Sequence, residues 1–84
     1  MAELKHRLYW IKRMQEGMTS FVNSCDDVEV MMFDQRYRYT RGADYIRNII
    51  RDCMEEFVLS GIVQKRPYGT GAYPNTEYIV IKKP

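Results

Sequence analysis

Ala43-Asp44-Tyr45-Ile46-Arg47-Asn48-Ile49-Ile50-Arg51-Asp52-Cys53-Met54-Glu55-Glu56-Phe57, continuing into Val58-Leu59-Ser60-Gly61-Ile62-Val63, carries the strongest pattern in this 84-residue chain. Ala43, Ile46, Ile49, Ile50, Cys53 and Phe57 recur at helical intervals and form one apolar stripe. Thr40 or Gly42 offers a start. Ser60-Gly61 offers the stop, with Gly61 suited to the left-handed position after a helix and Ile62 placed to fold back on Phe57. The outer face of this long helix changes sign along its length. Asp44, Arg47, Asn48 and Arg51 occupy its first half, and Asp52, Glu55 and Glu56 follow.

Upstream, Gln35-Arg36-Tyr37-Arg38-Tyr39-Thr40-Arg41-Gly42 has no helical periodicity and reads as a connection. Before it, Ser24 with Asp27 makes a weak capping box ahead of Val28, Met31 and Met32, which predicts a short helix at about 25–34. Val28-Glu29-Val30 fits the start of a strand as well. Thr19-Ser20-Phe21-Val22 is short and β-leaning. Leu4, Leu8, Ile11 and Met18 predict a first amphipathic helix over roughly 3–16, ended by Gly17, with Lys5, His6, Tyr9, Lys12, Arg13 and Glu16 on its polar side. Trp10 and Met14 flank that stripe. They read either as the edge of the core or as an exposed apolar contact for a second subunit.

Downstream, strands are expected at about 62–66 and 77–82, joined by a Gly-, Pro- and Asn-punctuated loop, Pro67 to Thr76. Tyr78, Ile79, Val80 and Ile81 read as core and sheet.

Size and composition exclude several classes. A single core is all a chain this short builds, with roughly 40% of its unfolded surface still wet after folding. At 45% hydrophobic and 29% charged residues, disorder is rejected. No apolar run reaches the ~18 residues of a membrane span and no signal-peptide pattern opens the chain, so a soluble, cytoplasmic or nucleoid-associated protein with no membrane partner is expected. Cys25 and Cys53 make no disulfide framework or zinc motif and read as reduced thiols in or near the core; no metal or cofactor is expected. Gly69-Thr70-Gly71 lacks the ending of a phosphate-binding loop. Catalysis is not expected either. His6 is the sole histidine, and Asp26-Asp27 and Glu55-Glu56 are adjacent pairs whose carboxylates diverge on a helix.

The net charge of +2 hides alternating blocks. Residues 14–34 hold five carboxylates and no Lys or Arg, whereas 35–51 hold five arginines against Asp44 alone.

Helix, short strand, helix, connection, long helix and β-hairpin in that order resemble a winged helix-turn-helix domain, an α+β fold with three helices packed on a small hairpin wing. The stretch from Arg41-Gly42-Ala43-Asp44-Tyr45-Ile46-Arg47 through Phe57-Val58-Leu59-Ser60-Gly61-Ile62-Val63 carries that likeness, which covers nearly the whole chain as one domain, 1–84. The resemblance implies double-stranded DNA binding, with the third helix in the major groove and the wing on the backbone or minor groove.

The residues themselves fit that chemistry. Arg pairs bidentately with guanine and Asn with adenine, so Arg47, Asn48 and Arg51 are candidate base readers, with Asp44 shaping the choice. Insertion by the basic half keeps the acidic half away from phosphate. Arg36, Arg38, Arg41, Lys65 and Arg66 are candidate phosphate contacts, with Tyr68 and Tyr73 at the wing. Plainer readings stand beside these: a solvated, internally paired helix face, a mobile hairpin, and Tyr37 or Tyr39 roofing the core. A small transcriptional regulator is the expectation; many such modules act as symmetric dimers, and the sequence leaves a homodimer as one option without fixing the oligomeric state. A protein-binding adaptor, or a small inhibitor from a phage or mobile element, is the alternative. Stacking of unpaired bases on Tyr37, Tyr39, Tyr68 and Tyr73 is a third.

Overall fold

A computed structural model describes residues 2–84. Three helices and a three-stranded antiparallel sheet follow one another as α1 (Leu4–Gln15), β1 (Ser20–Val22), α2 (Val28–Tyr37), α3 (Ala43–Leu59), β2 (Val63–Tyr68) and β3 (Asn75–Val80). The sheet order is β1-β3-β2, so the last strand lies between the other two. Phe21 sits opposite Tyr78, Val63 opposite Val80 and Arg66 opposite Glu77.

α3 forms where the apolar stripe places it. Ile46, Ile50, Cys53, Met54 and Phe57 are buried, while Ala43 at the first turn is exposed. Its C-terminus closes as the sequence predicts: Gly61 takes φ 78°, its N–H donates to the Val58 carbonyl, and Ile62 N–H donates to Phe57. These two bonds satisfy carbonyls that a helix end otherwise leaves without partners, and the left-handed residue between them is one that glycine adopts without penalty. Gly42 is the N-cap and offers no side-chain bond.

α2 starts and ends three residues later than the sequence suggests. Asp27 is its cap, accepting from the backbone N–H groups of Glu29 at 2.8 Å and Val22 at 3.0 Å, while Ser24 donates to Asp26. The helix runs on to Tyr37 because the aromatic face of that last turn is held down. Tyr37 packs on Phe33 and His6, and its hydroxyl donates to the Lys5 carbonyl. The connection to α3 is thereby cut to residues 38–42. Arg38 terminates α2 with φ 53°, the one non-glycine residue in the left-handed region among those described.

α1 is rotated relative to the expected stripe. His6, Trp10 and Met14, spaced by four, face inward, whereas Leu4 and Leu8 are 61% and 54% exposed. The cause is aromatic. Trp10 lies between Phe21 (ring centroids 4.8 Å apart, planes 9° apart) and Phe33 (5.5 Å, 16°). Stacking so large a side chain from three elements outweighs covering two leucines. Trp10 and Met14 are therefore core, and neither reaches the surface as a dimer contact. His6 is carried inward, bonded to the Tyr39 hydroxyl at 2.8 Å, and burial lowers its pKa. Arg13 ties α1 to α2 through a two-pronged bond to Glu29 at 2.9 and 2.8 Å.

The hairpin is longer than expected: pairing continues through Pro67–Thr76 and Tyr68–Asn75, leaving residues 69–74 as its tip. Pro67 is tolerated because β2 is an edge strand, where a missing N–H faces away from the ladder. Ile81 lies past the last strand and is exposed. Cys25 is exposed, against expectation, while burial pushes the Cys53 thiol up to about 12.

Candidate nucleic-acid interface

Asp44, Arg47, Asn48 and Arg51, spaced by three and four on α3, line one open cleft of about 440 Å³. Its other wall is the hairpin, through Pro74, Asn75 and Thr76, and its remaining lining is Asn23 and Tyr78. The first half of α3 and the tip end of the hairpin thus share one side of the molecule. Asn23, in the turn after β1, joins them by donating its side-chain amide to the Arg47 carbonyl at 3.0 Å. Asn23 Oδ1 and Arg47 Nε are buried polar atoms with no hydrogen-bond partner among the described residues. The far end of the Arg47 guanidinium pairs with Asp44. Tyr78 is buried at the cleft, and desolvation pushes its phenol up to about 12, so it stays neutral across the physiological range.

A second depression of about 310 Å³ shares Pro74, Asn75 and Thr76 with the cleft and adds Lys65, Arg66 and Pro67. Both hairpin cations are engaged: Lys65 with Glu55 of α3 at 2.9 Å, and Arg66 with Glu77 directly across the ladder. Lys65 and Glu55 are each about half exposed. Pairs of that kind contribute about 0–1 kcal/mol, so transferring such a cation to a phosphate costs little. Beyond them residues 67–76, the last two rungs and the tip, carry no charged side chain. Tyr73 there is 96% exposed and Tyr68 52%.

Arg36, Arg38 and Arg41 have no carboxylate partner among the described residues. Arg36 lies over the Tyr37 ring at 5.4 Å and Arg41 over Tyr45 at 4.9 Å. Tyr37 and Tyr39 stack on each other at 5.8 Å with planes 7° apart and close over His6. Their faces are spent on the protein itself, so unpaired bases have only Tyr68 and Tyr73 exposed for stacking.

Asn23, Pro74, Asn75, Thr76 and Tyr78 are the lining residues that the sequence alone did not single out. Each comes from a segment distant in the chain, and the strand pairings together with the packing of β2 on α3 bring them to the helix. No group of three or more metal-binding side chains occurs among the described residues, and no helix is long and apolar enough to cross a membrane.

Arg38 yields a direct test. A non-glycine residue held at positive φ costs of order 1–3 kcal/mol, and such outliers concentrate where function retains them. Arg38→Gly is expected to raise folding stability by about 1 kcal/mol, measured by chemical denaturation; if duplex DNA is the ligand, the same variant binds it more weakly. A variant that gains stability and keeps full affinity removes Arg38 from the interface. No family model, curated protein or solved structure matches this chain, so the reading of its interface rests on its own residues.

Proposed function

We propose that this chain is a winged helix-turn-helix domain that binds double-stranded DNA with sequence selectivity, as a small transcriptional regulator. The observation that carries the reading is the convergence of Asp44, Arg47, Asn48 and Arg51 with Asn75 and Thr76 of the hairpin on one open, polar cleft. The element order and the β1-β3-β2 sheet are compatible with that layout. In this reading α3 enters the major groove by its basic half, where Arg47, Asn48 and Arg51 reach base edges. Arg38 and Arg41 meet phosphates, which fix register and supply affinity without reading sequence, while Arg36 faces the separate concavity between α1 and α2. The carboxylates Asp52, Glu55 and Glu56 lie toward the other end of α3. The Asp44–Arg47 pair holds one base reader in place and has to be exchanged for a base contact when DNA binds.

Four arginines, Arg38, Arg41, Arg47 and Arg51, set the expected salt response. Affinity for random duplex DNA should fall with a log–log slope of about −3 to −4. Fluorescence anisotropy across a salt series measures it. Absence of duplex binding at low salt would remove the DNA reading.

A second reading, a protein-binding adaptor or inhibitor on the same fold, is favoured by one observation: the hairpin tip is uncharged and its nearest cations, Lys65 and Arg66, are internally paired. It predicts no salt-sensitive DNA binding. Selection of bound duplexes from a random library separates the two, since an enriched motif requires base reading.

A further inference from the structure

A second concavity, of about 510 Å³, runs between α1 and α2 and shares no residue with the α3 cleft. Leu8 of α1 and Met32 of α2 line it, 54% and 38% exposed, with Tyr9 and Tyr37 behind them. Leu4, 61% exposed, lies one turn before Leu8 on the same helix face. The rotation of α1 that buries Trp10 is what leaves Leu4 and Leu8 in solvent. Cations flank the apolar floor. Lys12 and Arg36, one on each helix, have no carboxylate partner among the described residues. Lys5 is near Glu3 at 3.5 Å, and Arg13 is satisfied by Glu16 and Glu29. Glu16 is the one acidic residue in the lining.

We infer that this groove docks an acidic amphipathic helix of a partner protein, its apolar ridge on Leu8 and Met32 and its carboxylates on Lys12 and Arg36. A helix laid in a groove offers an apolar stripe at three- and four-residue spacing with charges on both shoulders, which is the complement of what the groove presents. Nucleic acid is the poorer match, because the phosphate backbone has nothing apolar to set against Leu8 and Met32. A second copy is also a poorer match. A two-fold symmetric contact would set the same patch, and so the same unpaired cations, on both sides of the seam. The inference does not rest on the DNA reading.

The test is a ¹⁵N-labelled titration with a synthetic Leu/Glu amphipathic peptide of about five helical turns, with a Leu/Lys peptide of equal length as control. The Leu/Glu peptide should shift the amides of Leu8, Lys12, Met32 and Arg36, and the Leu/Lys peptide should not. Leu8→Glu and Met32→Glu, both at exposed positions that leave the core intact, should each weaken binding about tenfold or more. The inference is overturned if those amides do not move, if both peptides act alike, or if either variant binds unchanged. It is overturned as well if the same amides shift with protein concentration alone, which assigns the groove to a second copy, or if duplex DNA moves them and the peptide does not.

Discussion

Trp10→Ala is expected to destabilise the domain by about 3–5 kcal/mol, the largest loss from any single truncation here. Trp10 is fully buried and bridges α1, β1 and α2, stacked between Phe21 and Phe33. Its removal therefore empties the one place where those three elements meet through rings. For a domain of this size, each 1 kcal/mol moves Tm by about 4–8 °C, so the midpoint should fall by at least about 12 °C. The total stability of small domains is about 5–15 kcal/mol, and a loss on this scale brings a marginal one close to unfolding. Trp10→Phe is expected to cost far less. It keeps a stacked ring and removes the indole N–H, which is buried with no acceptor among the described residues. Because Trp10 is the chain's only tryptophan, far-UV circular dichroism is the appropriate readout. If Trp10→Ala melts within a few degrees of the parent, the ring sandwich is not what holds α1 in place.

Arg47→Ala carries the second large effect. It should weaken binding to a selected duplex by about 1–3 kcal/mol and relax preference at one base position, a loss of roughly 5- to 150-fold. The fold should survive, because the Arg47 side chain is 38% exposed and its carbonyl, which receives the Asn23 bond, is untouched. Asp44→Asn supplies the converse. With its ion-pair partner neutralised, Arg47 should bind all sequences more tightly and discriminate less. Gel-shift or anisotropy measurements on matched and mismatched duplexes check both. Unchanged affinity and preference in Arg47→Ala would leave the cleft without its principal reader.

Legibility in the sequence followed where the energy is local. α3 was readable from end to end, since its stripe, its glycine stop and the return of Ile62 all lie within about twenty residues and point the same way. The four cleft residues on α3 were readable for the same reason: three- and four-residue spacing places them on one strip whatever the rest of the chain does. α1 was not readable in the same way. It carries two competing stripes, Leu4-Leu8-Ile11 and His6-Trp10-Met14, and the choice between them is made by Phe21 and Phe33, which only the tertiary structure brings to Trp10. The extra turn of α2 likewise depends on Tyr37 meeting His6 and Lys5, more than thirty residues away in sequence. The pairing of Lys65 and Arg66 was equally hidden. Arg66 opposite Glu77 follows once the hairpin register is known, but Lys65 with Glu55 requires the packing of β2 on α3. The charge pattern indicated which residues are basic; it could not indicate which of them are free.

The β1-β3-β2 order has a consequence for how the protein comes into being. During synthesis β1 and β2 are both complete before residues 75–80 exist, and neither strand has another to bond with until they do. Both ladders therefore need β3, and the β1–β3 ladder ties residues 20–22 to residues 77–79 across most of the chain. Such distant pairings make folding slower than in helical proteins of equal size.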